Sequence, residues 1–482
     1  MLTPGPPAAP GPPTAPRPSP AIAPPPRVVL HDRWEQLPQQ ERTAFLARRT
    51  GAGRWPYGAS DGWQRGRPWQ PMRPLVLDRA EYDAFGLVAQ QLLRLTVDAC
   101  RRRATTVGEL QAALRDPRPH RLLEPARPLA ETPLLRIARP DVLLSGGVPQ
   151  FMELNIAITL YGMPALDRMA QAYARLCPDG LLAAPPHTHR ARSALLAEAA
   201  GAGAGRRPCV LVPTWRSRSG PAARLSSRRA LRAYLQPTVD AAAESGLDAV
   251  VADLSRLRTD AAGNLYAGES RIDLVLNWFI SSRVVHDGGG LAAIATALAA
   301  GTVQLFFPEA MRLLSSKQAL AWLHEDLDLL APADRATVEA HVPWTGWTAA
   351  HQGAAQRERF MERALDERRD LVLKPAIGAN GSGVVFGSDV DGRRWRRLLT
   401  ERAARRSLVV QRRVEGDTVA MPFLAPESGR RCEVRLPFVL APFLVDGRIC
   451  GSLVRHFGPE HPSGAKVINS RKGAVANTVL LR

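Results

Sequence analysis

The pattern of apolar and polar residues predicts a chain that mixes helices with strands. A broad apolar face recurs along Asp78–Arg103, which predicts an amphipathic helix, and a second helix is expected over Val107–Leu114. Between about residues 200 and 310, short apolar runs alternate with helical stretches, an order typical of a small sheet covered by helices. The last part of the chain is rich in strand-like segments. The predicted fold class is therefore mixed α/β.

One stretch in the last third predicts a hairpin suited to binding phosphate. Leu371–Leu373 is expected to form a short buried strand, Gly378–Gly383 a glycine-rich loop, and Val384–Phe386 a second strand that returns beside the first. Glycines let backbone amides approach an anion closely, and Lys374 at the rim supplies a compact positive charge. The stretch therefore indicates a phosphate site, with an ordinary hairpin as the alternative.

The segment Pro149–Asn155 predicts a strand with two polar ligands. Alternate side chains of a strand share a face, so Glu153 and Asn155 are expected to point the same way, together with Phe151. A carboxylate and an amide oxygen are hard ligands of the kind that Mg²⁺ takes from proteins. The alternative is that both side chains simply face solvent on a half-buried strand.

The charge of the chain is strongly positive. Its 64 Lys and Arg against 45 Asp and Glu give a formal charge of +19, which by itself suits a nucleic acid or another anionic partner. The arginines are nevertheless spread along the chain, and the densest runs, Arg101–Arg103 and Arg393–Arg397, lack interleaved aromatic residues for base stacking. A solvated arginine-rich surface is the preferred interpretation, and a nucleic-acid partner is not expected.

Only four of the 64 positively charged residues are lysines. In a chain that uses arginine for almost every positive charge, a lysine marks a place where a planar guanidinium does not replace a compact ammonium, as at a phosphate site. The four are Lys317, Lys374, Lys466 and Lys472, all in the last third.

Cysteine usage and hydropathy bear on the compartment. The five cysteines are scattered and form no Cys-x-x-Cys pair, which argues against a disulfide scaffold or a zinc site and favours a reducing environment. No apolar run reaches membrane-spanning length, and the N-terminus has no signal-peptide core. A cytoplasmic location without membrane contact is expected.

Residues 1–27, rich in Pro and Ala, are expected to form a disordered tail.

Six short motifs occur in an order that resembles the circularly permuted ATP-grasp ligases, the group that includes eukaryotic glutathione synthetase and the glutathionylspermidine synthetase type. They are Arg139-Pro-Asp141, Glu153-Leu-Asn155, the α/β unit 208–307, Ser316-Lys317, Leu373-Lys-Pro375 with Gly378–Gly383, and the strand 409–415. The resemblance covers roughly residues 130–482. It implies an ATP-grasp-like, circularly permuted fold with an N-terminal region (28–200) that contains the metal-binding strand, a small α/β domain (201–310) and nucleotide-binding lobes (311–482).

The resemblance also implies roles for the matching residues. Glu153 and Asn155 would ligate Mg²⁺, Arg139 would contact phosphate or an acyl-phosphate intermediate, and Arg455 would lie near the acceptor or the phosphates. The residues implied to hold ATP are Lys317, Lys374, Gly378, Asn380, Gly381, Ser382, Gly383, Gln411 and Val414, the last two near the adenine. Gly378 stands where glutathione synthetase carries a metal-binding glutamate, which leaves a second metal site in doubt.

The activity that the resemblance implies is that of an ATP- and Mg²⁺-dependent ligase. It would join a small-molecule or peptide carboxylate to an amine, or to a thiol, through an acyl phosphate. Three alternatives stay open: an ATP-grasp homologue that binds nucleotide without ligating, a basic nucleic-acid-binding protein, and an interaction scaffold that uses its proline-rich tail. Saturable binding of ATP and Mg²⁺ separates the enzyme from the last two alternatives.

Overall fold

The computed structural model describes residues 25–29, 39–51, 69–115, 122–156, 163–177, 181–201, 206–217, 228–279, 281, 284–349, 353–378, 381–425, 428–460, 466–469 and 472–482. The predicted tail before residue 25 and the predicted loop residue Asn380 lie outside these residues. The division of the chain into four regions stays a prediction.

The elements of the described residues are as follows. The helices are α1 (Gln39–Gly51), α2 (Arg79–Arg101), α3 (Val107–Ala113), α4 (Met163–Leu176), α5 (Thr188–Ala199), α6 (Arg228–Glu244), α7 (Gly290–Ala299), α8 (Ala310–Leu314), α9 (Gln318–Glu325), α10 (Pro332–His341), α11 (Ala354–Asp366) and α12 (Gly392–Ala403). The strands of the first half are β1 (Gln70–Pro71), β2 (Leu75–Leu77), β3 (Ile137–Ser145), β4 (Val148–Asn155), β5 (Cys209–Thr214), β6 (Arg216–Ser217) and β7 (Asp248–Asp253). Those that follow are β8 (Leu257–Thr259), β9 (Leu265–Ala267), β10 (Ser270–Ile272), β11 (Leu274–Val275), β12 (Val284–Val285), β13 (Gln304–Leu305), β14 (Thr345–Thr348), β15 (Leu371–Pro375), β16 (Val385–Phe386), β17 (Leu408–Arg412), β18 (Thr418–Leu424), β19 (Arg431–Val445), β20 (Arg448–His456), β21 (Val475–Asn477) and β22 (Val479–Leu481).

The helices predicted over Asp78–Arg103 and Val107–Leu114 are confirmed as α2 and α3. Asp78 caps α2, its side chain accepting the Ala80 N–H, and Thr106 forms a capping box with Glu109 at the start of α3. The apolar face of α2 lies in the main core, where Phe85 packs against Phe151 of β4 with ring centroids 5.9 Å apart. The predicted face of α2 therefore supports the largest sheet. Of the helices described above, none is both long enough and apolar enough to cross a lipid bilayer.

The largest sheet is built on the long strand β19. Its first half pairs with β18, and its second half lies between β20 and β3, with β4 on the far side of β3. The sequence predicts two separate strands here, 435–440 and 443–445, whereas the structure has one strand with an irregularity between Pro442 and Leu444. This arrangement brings two distant parts of the chain, the consecutive strands β3 and β4 and the strand β20, onto one sheet.

An irregularity in β4 decides which of its side chains face the core. Asp141 lies opposite Glu153, but the next residue of β3, Val142, lies opposite Phe151, so Met152 is an additional residue that forms a β-bulge. The extra residue resets the alternation, and Phe151 is fully buried in the core. The prediction that Phe151 shares a face with Glu153 is therefore wrong.

The glycine hairpin belongs to a second, four-stranded sheet with the order β14-β17-β15-β16. Leu373 of β15 lies opposite Val385 of β16 in an antiparallel pair, so the predicted returning strand is confirmed. One face of this sheet packs on α11 and α12 through Leu371, Leu373 and Trp395. Lys374 lies opposite Val409, on the other face, which packs against Ala321 of α9.

The predicted α/β alternation is confirmed by a four-stranded sheet of residues 209–305. Its strands, in the order β13-β11-β5-β7, are all parallel. The prediction of one strand over Ile272–Trp278 is wrong, because Ile272 ends the antiparallel strand β10 and only Leu274–Val275 joins the parallel sheet. Asp273 separates the two, and its carboxylate accepts the Cys209 N–H at 2.7 Å.

Candidate active site

The site begins with four polar residues on one face of β3 and β4. Arg139 lies opposite Asn155 and Asp141 lies opposite Glu153, whereas Pro140 and its neighbours on the other face point to the core. Residues directly opposite one another in an antiparallel pair are close neighbours. The bulge therefore keeps the predicted metal ligands Glu153 and Asn155 on one face and aligns them with the Arg-Pro-Asp strand.

Arg455 reaches this face from β20. Its Nη2 lies 2.7 Å from Asp141 Oδ2, and its side chain is only 5% exposed. Arg139 lies over the ring of Phe443, with 5.6 Å between the guanidinium carbon and the ring centroid. Within the described residues, Arg139 Nε, Arg455 Nε and Asp141 Oδ1 are buried without a hydrogen-bond partner. Buried polar atoms normally have a partner, so these atoms are suited to binding a ligand.

The electrostatics of this pair of arginines follow from burial and from Asp141. Burial lowers the pKa of Arg139 to about 10. The Asp141 carboxylate opposes this change, and the positive charge of Arg455 lowers the pKa further. Burial disfavours the charged form of Asp141, but Arg455 and Arg139 together outweigh this effect and hold its pKa below the ordinary value. At neutral pH the site therefore holds two guanidinium groups around one carboxylate.

Lys317 connects the β3–β4 face with the second sheet. Its Nζ lies 3.1 Å from Glu153 Oε2, and its backbone N–H donates to Ala376 O, directly after β15. The sequence suggests Ser315 or Ser316 as a helix cap before it. Ser315 does not cap the helix: its hydroxyl donates to Ile156 O and accepts the Ile156 N–H, while Ser316 Oγ accepts the N–H of Gln318. Ser315 thus anchors Lys317 to the end of β4.

Lys374 completes the group of cations from the hairpin strand β15. Its Nζ donates to Gln411 Oε1 at 2.5 Å, and the Gln411 amide in turn donates to Thr345 Oγ1 at 3.1 Å. Burial lowers the pKa of Lys374 to about 8. The positive charge of Lys317 lowers it by a smaller amount, whereas Glu153 and Asp141 act in the opposite direction. The ammonium is therefore charged at neutral pH but loses its proton within an accessible pH range.

We predict that the affinity for ATP falls as the pH rises above 8. Phosphate oxygens favour the charged ammonium, so ATP bound at the predicted site would raise the pKa of Lys374, and its binding would take up a proton at alkaline pH. The Kd should rise by up to about tenfold per pH unit above pH 8. Calorimetric titration between about pH 7 and pH 9 measures this change. Lys374→Arg keeps a permanent charge and should flatten the profile; a wild-type Kd that is constant over the range would contradict the assignment.

The glycine loop has the backbone conformation that glycine favours. Gly381 and Gly383 have φ values of +65° and +77°, and Arg402 donates to Gly383 O at 3.0 Å. Gly378 and Ser382 are exposed at the two ends of the described loop. The roles predicted for these residues in holding ATP stay predictions, as does the adenine contact of Val414, which is partly exposed just after β17.

The side-chain oxygens of Asp141, Glu153 and Asn155 fit one magnesium ion whose other ligands are phosphates. Asp141 Oδ1 is buried without a hydrogen-bond partner among the described residues, and Glu153 lies opposite it on the neighbouring strand with Asn155 two residues further on. Two carboxylates and an amide are hard oxygen ligands, and Mg²⁺ usually takes its other ligands from water and phosphate. No cluster of three or more His, Cys, Asp or Glu able to hold a metal occurs in the described part of the chain. Asp141 was not predicted as a ligand; its place opposite Glu153 makes it a further candidate.

Comparison with known proteins bears on the fold. No protein-family model matches the chain, and no curated protein matches its sequence. A glutathione synthetase-like effector from Globodera pallida, solved in the apo form, aligns over 93% of this chain and 99% of its own, with a TM-score of 0.53 and 11% identity. A protein described as a gamma-glutamylcysteine synthetase, from Methylobacillus flagellatus, aligns over 81% of this chain and 86% of its own at 12% identity, with a TM-score of 0.38. D-cycloserine synthetase DcsG aligns over 56% of this chain and 74% of its own at 18% identity, with a TM-score of 0.28.

The first of these similarities shows that the chain has the fold of a glutathione synthetase-like protein. At 11% identity this similarity shows the fold alone. The TM-scores of the other two structures are too low to support an argument. The circular permutation and the roles of individual residues therefore stay predictions.

Proposed function

We propose that the protein is an ATP- and Mg²⁺-dependent carboxylate–amine ligase of the ATP-grasp type. The observation that carries the proposal is the meeting of cations from four separate elements at two carboxylates: Arg139 of β3, Arg455 of β20, Lys317 at the start of α9 and Lys374 of β15 surround Asp141 and Glu153. Lys317 and Arg455 are buried and the other four side chains are half-buried, and such a concentration of charge is costly unless a ligand compensates it.

The balance of charge supports this nucleotide. Four cations and two carboxylates leave two uncompensated positive charges. ATP with one bound Mg²⁺ carries about two negative charges at neutral pH, so the complex would be nearly neutral before the carboxylate substrate binds. This match favours one metal ion, since a second would add two further positive charges to a site in which Gly378 supplies no carboxylate.

The proposed reaction has two steps. An oxygen of the substrate carboxylate attacks the γ-phosphorus of ATP, ADP leaves, and an acyl phosphate forms. The amine then attacks the acyl carbon, phosphate leaves, and the nitrogen loses a proton as the amide forms. Because the transferred phosphoryl group carries dispersed negative charge, the protein's part is to position and neutralise the reacting groups.

Each residue has a part in this scheme. Lys317 and Lys374 would bind the phosphates of ATP from two sides, and the Nε donors of Arg139 and Arg455 would bind the substrate carboxylate and then the acyl phosphate. Asp141 fixes the Arg455 guanidinium through its ion pair. Asp141, Glu153 and Asn155 would hold Mg²⁺, which neutralises charge on the transferred phosphoryl group when bound.

Trapping with hydroxylamine tests the proposal without knowledge of the natural amine. The protein is incubated with Mg²⁺, ATP, hydroxylamine and pools of amino acids, short peptides and other small carboxylates. An acyl phosphate reacts with hydroxylamine to give a hydroxamate, so at least one pool should yield hydroxamate and ADP in equal amounts.

The matched control is Lys374→Met, which should yield neither product above background. ADP formation that is independent of any carboxylate would indicate an ATPase, and absence of both ATP binding and hydroxamate from all pools would rule out the ligase.

A further inference from the structure

Helix α12 and the residues directly after it form a surface that is rich in arginine. Residues 392–406 contain seven arginines and a single acidic residue, Glu401. Six of these arginines are exposed, and Arg402 is half-buried. In the part of the chain that the structure describes, no ion pair is formed by any of the seven, which are Arg393, Arg394, Arg396, Arg397, Arg402, Arg405 and Arg406.

Three other helices compensate an exposed arginine with a carboxylate one turn further along. The pairs are Arg94–Asp98 on α2, Arg335–Glu339 on α10 and Arg363–Glu367 on α11, with N–O distances of 3.3, 2.9 and 2.9 Å. Such pairs stabilise a helix, whereas like charges at the same spacing destabilise it. On α12 this spacing is occupied by Arg393 and Arg397. The arginines of α12 therefore repel one another where the other three helices have an attraction.

The first turn of α12 places charge unfavourably in a second way. Arg393 and Arg394 lie in this turn, which has no acidic residue. In contrast, α2 and α10 have Glu81 and Asp334 in their first turns. The N-terminus of a helix has a partial positive charge, so cations are unfavourable there. These arginines lower the stability of α12, and a role outside folding accounts for them better than a role in it.

Both ends of α12 are attached to the hairpin sheet. Trp395 is fully buried, and its indole N–H donates to Ala364 O at 2.7 Å. Near the other end of the helix, Arg402 Nη1 donates at 3.0 Å to Gly383 O in the glycine loop. A partner bound along the arginines of α12 would therefore lie close to the loop that is predicted to hold ATP.

The composition of this surface favours a carboxylate-bearing partner over other polyanions. Binding of single-stranded nucleic acid uses aromatic side chains for stacking, but Trp395, the aromatic residue within the run, is fully buried. An anionic membrane requires a helix with a free apolar face, whereas Trp395 and Leu399 pack in the core beneath the hairpin sheet. Residues 392–406 include no Asn or Gln to read the bases of a duplex. Guanidinium groups match carboxylates with two parallel hydrogen bonds.

We propose that the arginine-rich surface of α12 binds an acidic segment of a polypeptide substrate and so brings a carboxylate of that polypeptide to the active site. This inference rests on the proposed function, which requires a carboxylate substrate. The 12 residues of α12 extend over about 18 Å, a length that about five or six residues of an extended segment span. A short run of Asp and Glu is therefore sufficient to contact the whole helix.

The experiment measures the binding of a fluorescein-labelled oligo-glutamate peptide by fluorescence anisotropy in the absence of nucleotide. Wild type should bind the peptide saturably, with an affinity that falls as the salt concentration rises. Arg393→Gln/Arg397→Gln should weaken binding about tenfold, because it removes two exposed cations from the carboxylates. The matched control is Arg94→Gln/Arg335→Gln, which removes the same charge from two exposed helical arginines that already have carboxylate partners. Its affinity should stay within about twofold of wild type.

A further variant separates binding from folding. Arg393→Glu places a carboxylate in the first turn of α12 and one turn before Arg397, so it should raise the thermal midpoint of the free protein. The same substitution should weaken oligo-glutamate binding about tenfold or more. A lowered midpoint would overturn the argument that these arginines are placed against the stability of the helix.

The hydroxamate assay tests whether the bound polypeptide is the substrate. Peptides of an active pool should have a lower KM with an oligo-glutamate extension than with an oligo-glutamine extension of the same length. Arg393→Gln/Arg397→Gln should remove this difference and leave kcat unchanged. Equal KM values for the two extensions in wild type would overturn the assignment of the acidic segment to the substrate.

Three binding results would overturn the inference: no binding of oligo-glutamate by wild type, equal losses in the two double variants, or tighter binding of duplex DNA or of phosphatidylserine vesicles than of oligo-glutamate. Failure of the proposed function is distinguishable from these results. In that case wild type would bind oligo-glutamate through α12 but would neither bind ATP nor form hydroxamate.

Discussion

Lys374→Met should lower the affinity for ATP about hundredfold or more and reduce ADP formation to background. The ammonium lies on the face of β15 that carries the site, and it is held by Gln411 at 2.5 Å. Methionine has a similar length and no charge, so the substitution removes one buried cation from phosphate and leaves the Gln411 carbonyl oxygen without this donor. Hydrogen bonds between charged groups contribute about 1.5–3 kcal/mol, and more in a buried site.

Calorimetry and a coupled assay of ADP measure the two effects. The control is Arg335→Met on α10, since Arg335 is 46% exposed and pairs with Glu339 outside the motifs that are predicted to bind ATP. This variant should bind ATP as wild type does, because exposed ion pairs contribute little. An ATP affinity of Lys374→Met within about twofold of wild type would remove Lys374 from the phosphate site.

Glu153→Gln should have two effects of opposite sign. It removes a carboxylate that we propose to bind the metal, so any gain in ATP affinity from Mg²⁺ should disappear and ligation should fall by a factor of about 10³ or more. It also removes the ion-pair partner that lies 3.1 Å from Lys317 Nζ. Lys317 is then available to phosphate without competition, so the affinity for ATP in the presence of EDTA should rise.

The measurement is the ATP affinity of wild type and variant with Mg²⁺ and with EDTA. Glu339→Gln provides the control, because its carboxylate is exposed and pairs with Arg335 on α10 outside the predicted site. A variant that keeps the full effect of Mg²⁺ would show that Glu153 is not a metal ligand. If the affinity for ATP in the presence of EDTA falls instead of rising, Glu153 supports ATP binding and does not merely compete for Lys317.

Local sequence patterns are sufficient to predict the hairpin. The apolar run of β15, the glycines after it and the returning strand β16 are neighbours in the sequence, so their pairing follows from turn chemistry and β-propensity alone. The same holds for α2, whose caps and apolar face are encoded within its own residues. Both elements were predicted correctly for this reason.

Shifts in strand register and contacts between distant segments could not be predicted in the same way. The bulge at Met152 depends on the register between β3 and β4, and a strict alternation therefore assigned Phe151 to the wrong face. The ion pair between Asp141 and Arg455 depends on β19 lying between β3 and β20.

Residue type singles out positions that are distant in the sequence. The scarcity of lysine predicts special roles for Lys317 and Lys374, and the structure brings Lys466 and Lys472 to the same hairpin. That these lysines bind phosphate stays a prediction, which rests on the discrimination of a phosphate site between ammonium and guanidinium.

Calorimetric titration of wild-type protein with ATP, with Mg²⁺ and with EDTA, tests the central claim most directly. We predict saturable binding of one ATP per chain that is stronger with Mg²⁺ than without it, since the cluster of four cations and two carboxylates is complementary to the nucleotide with one metal ion. Absence of saturable binding under both conditions would contradict the account, because the charges around Asp141 and Glu153 would then serve another purpose.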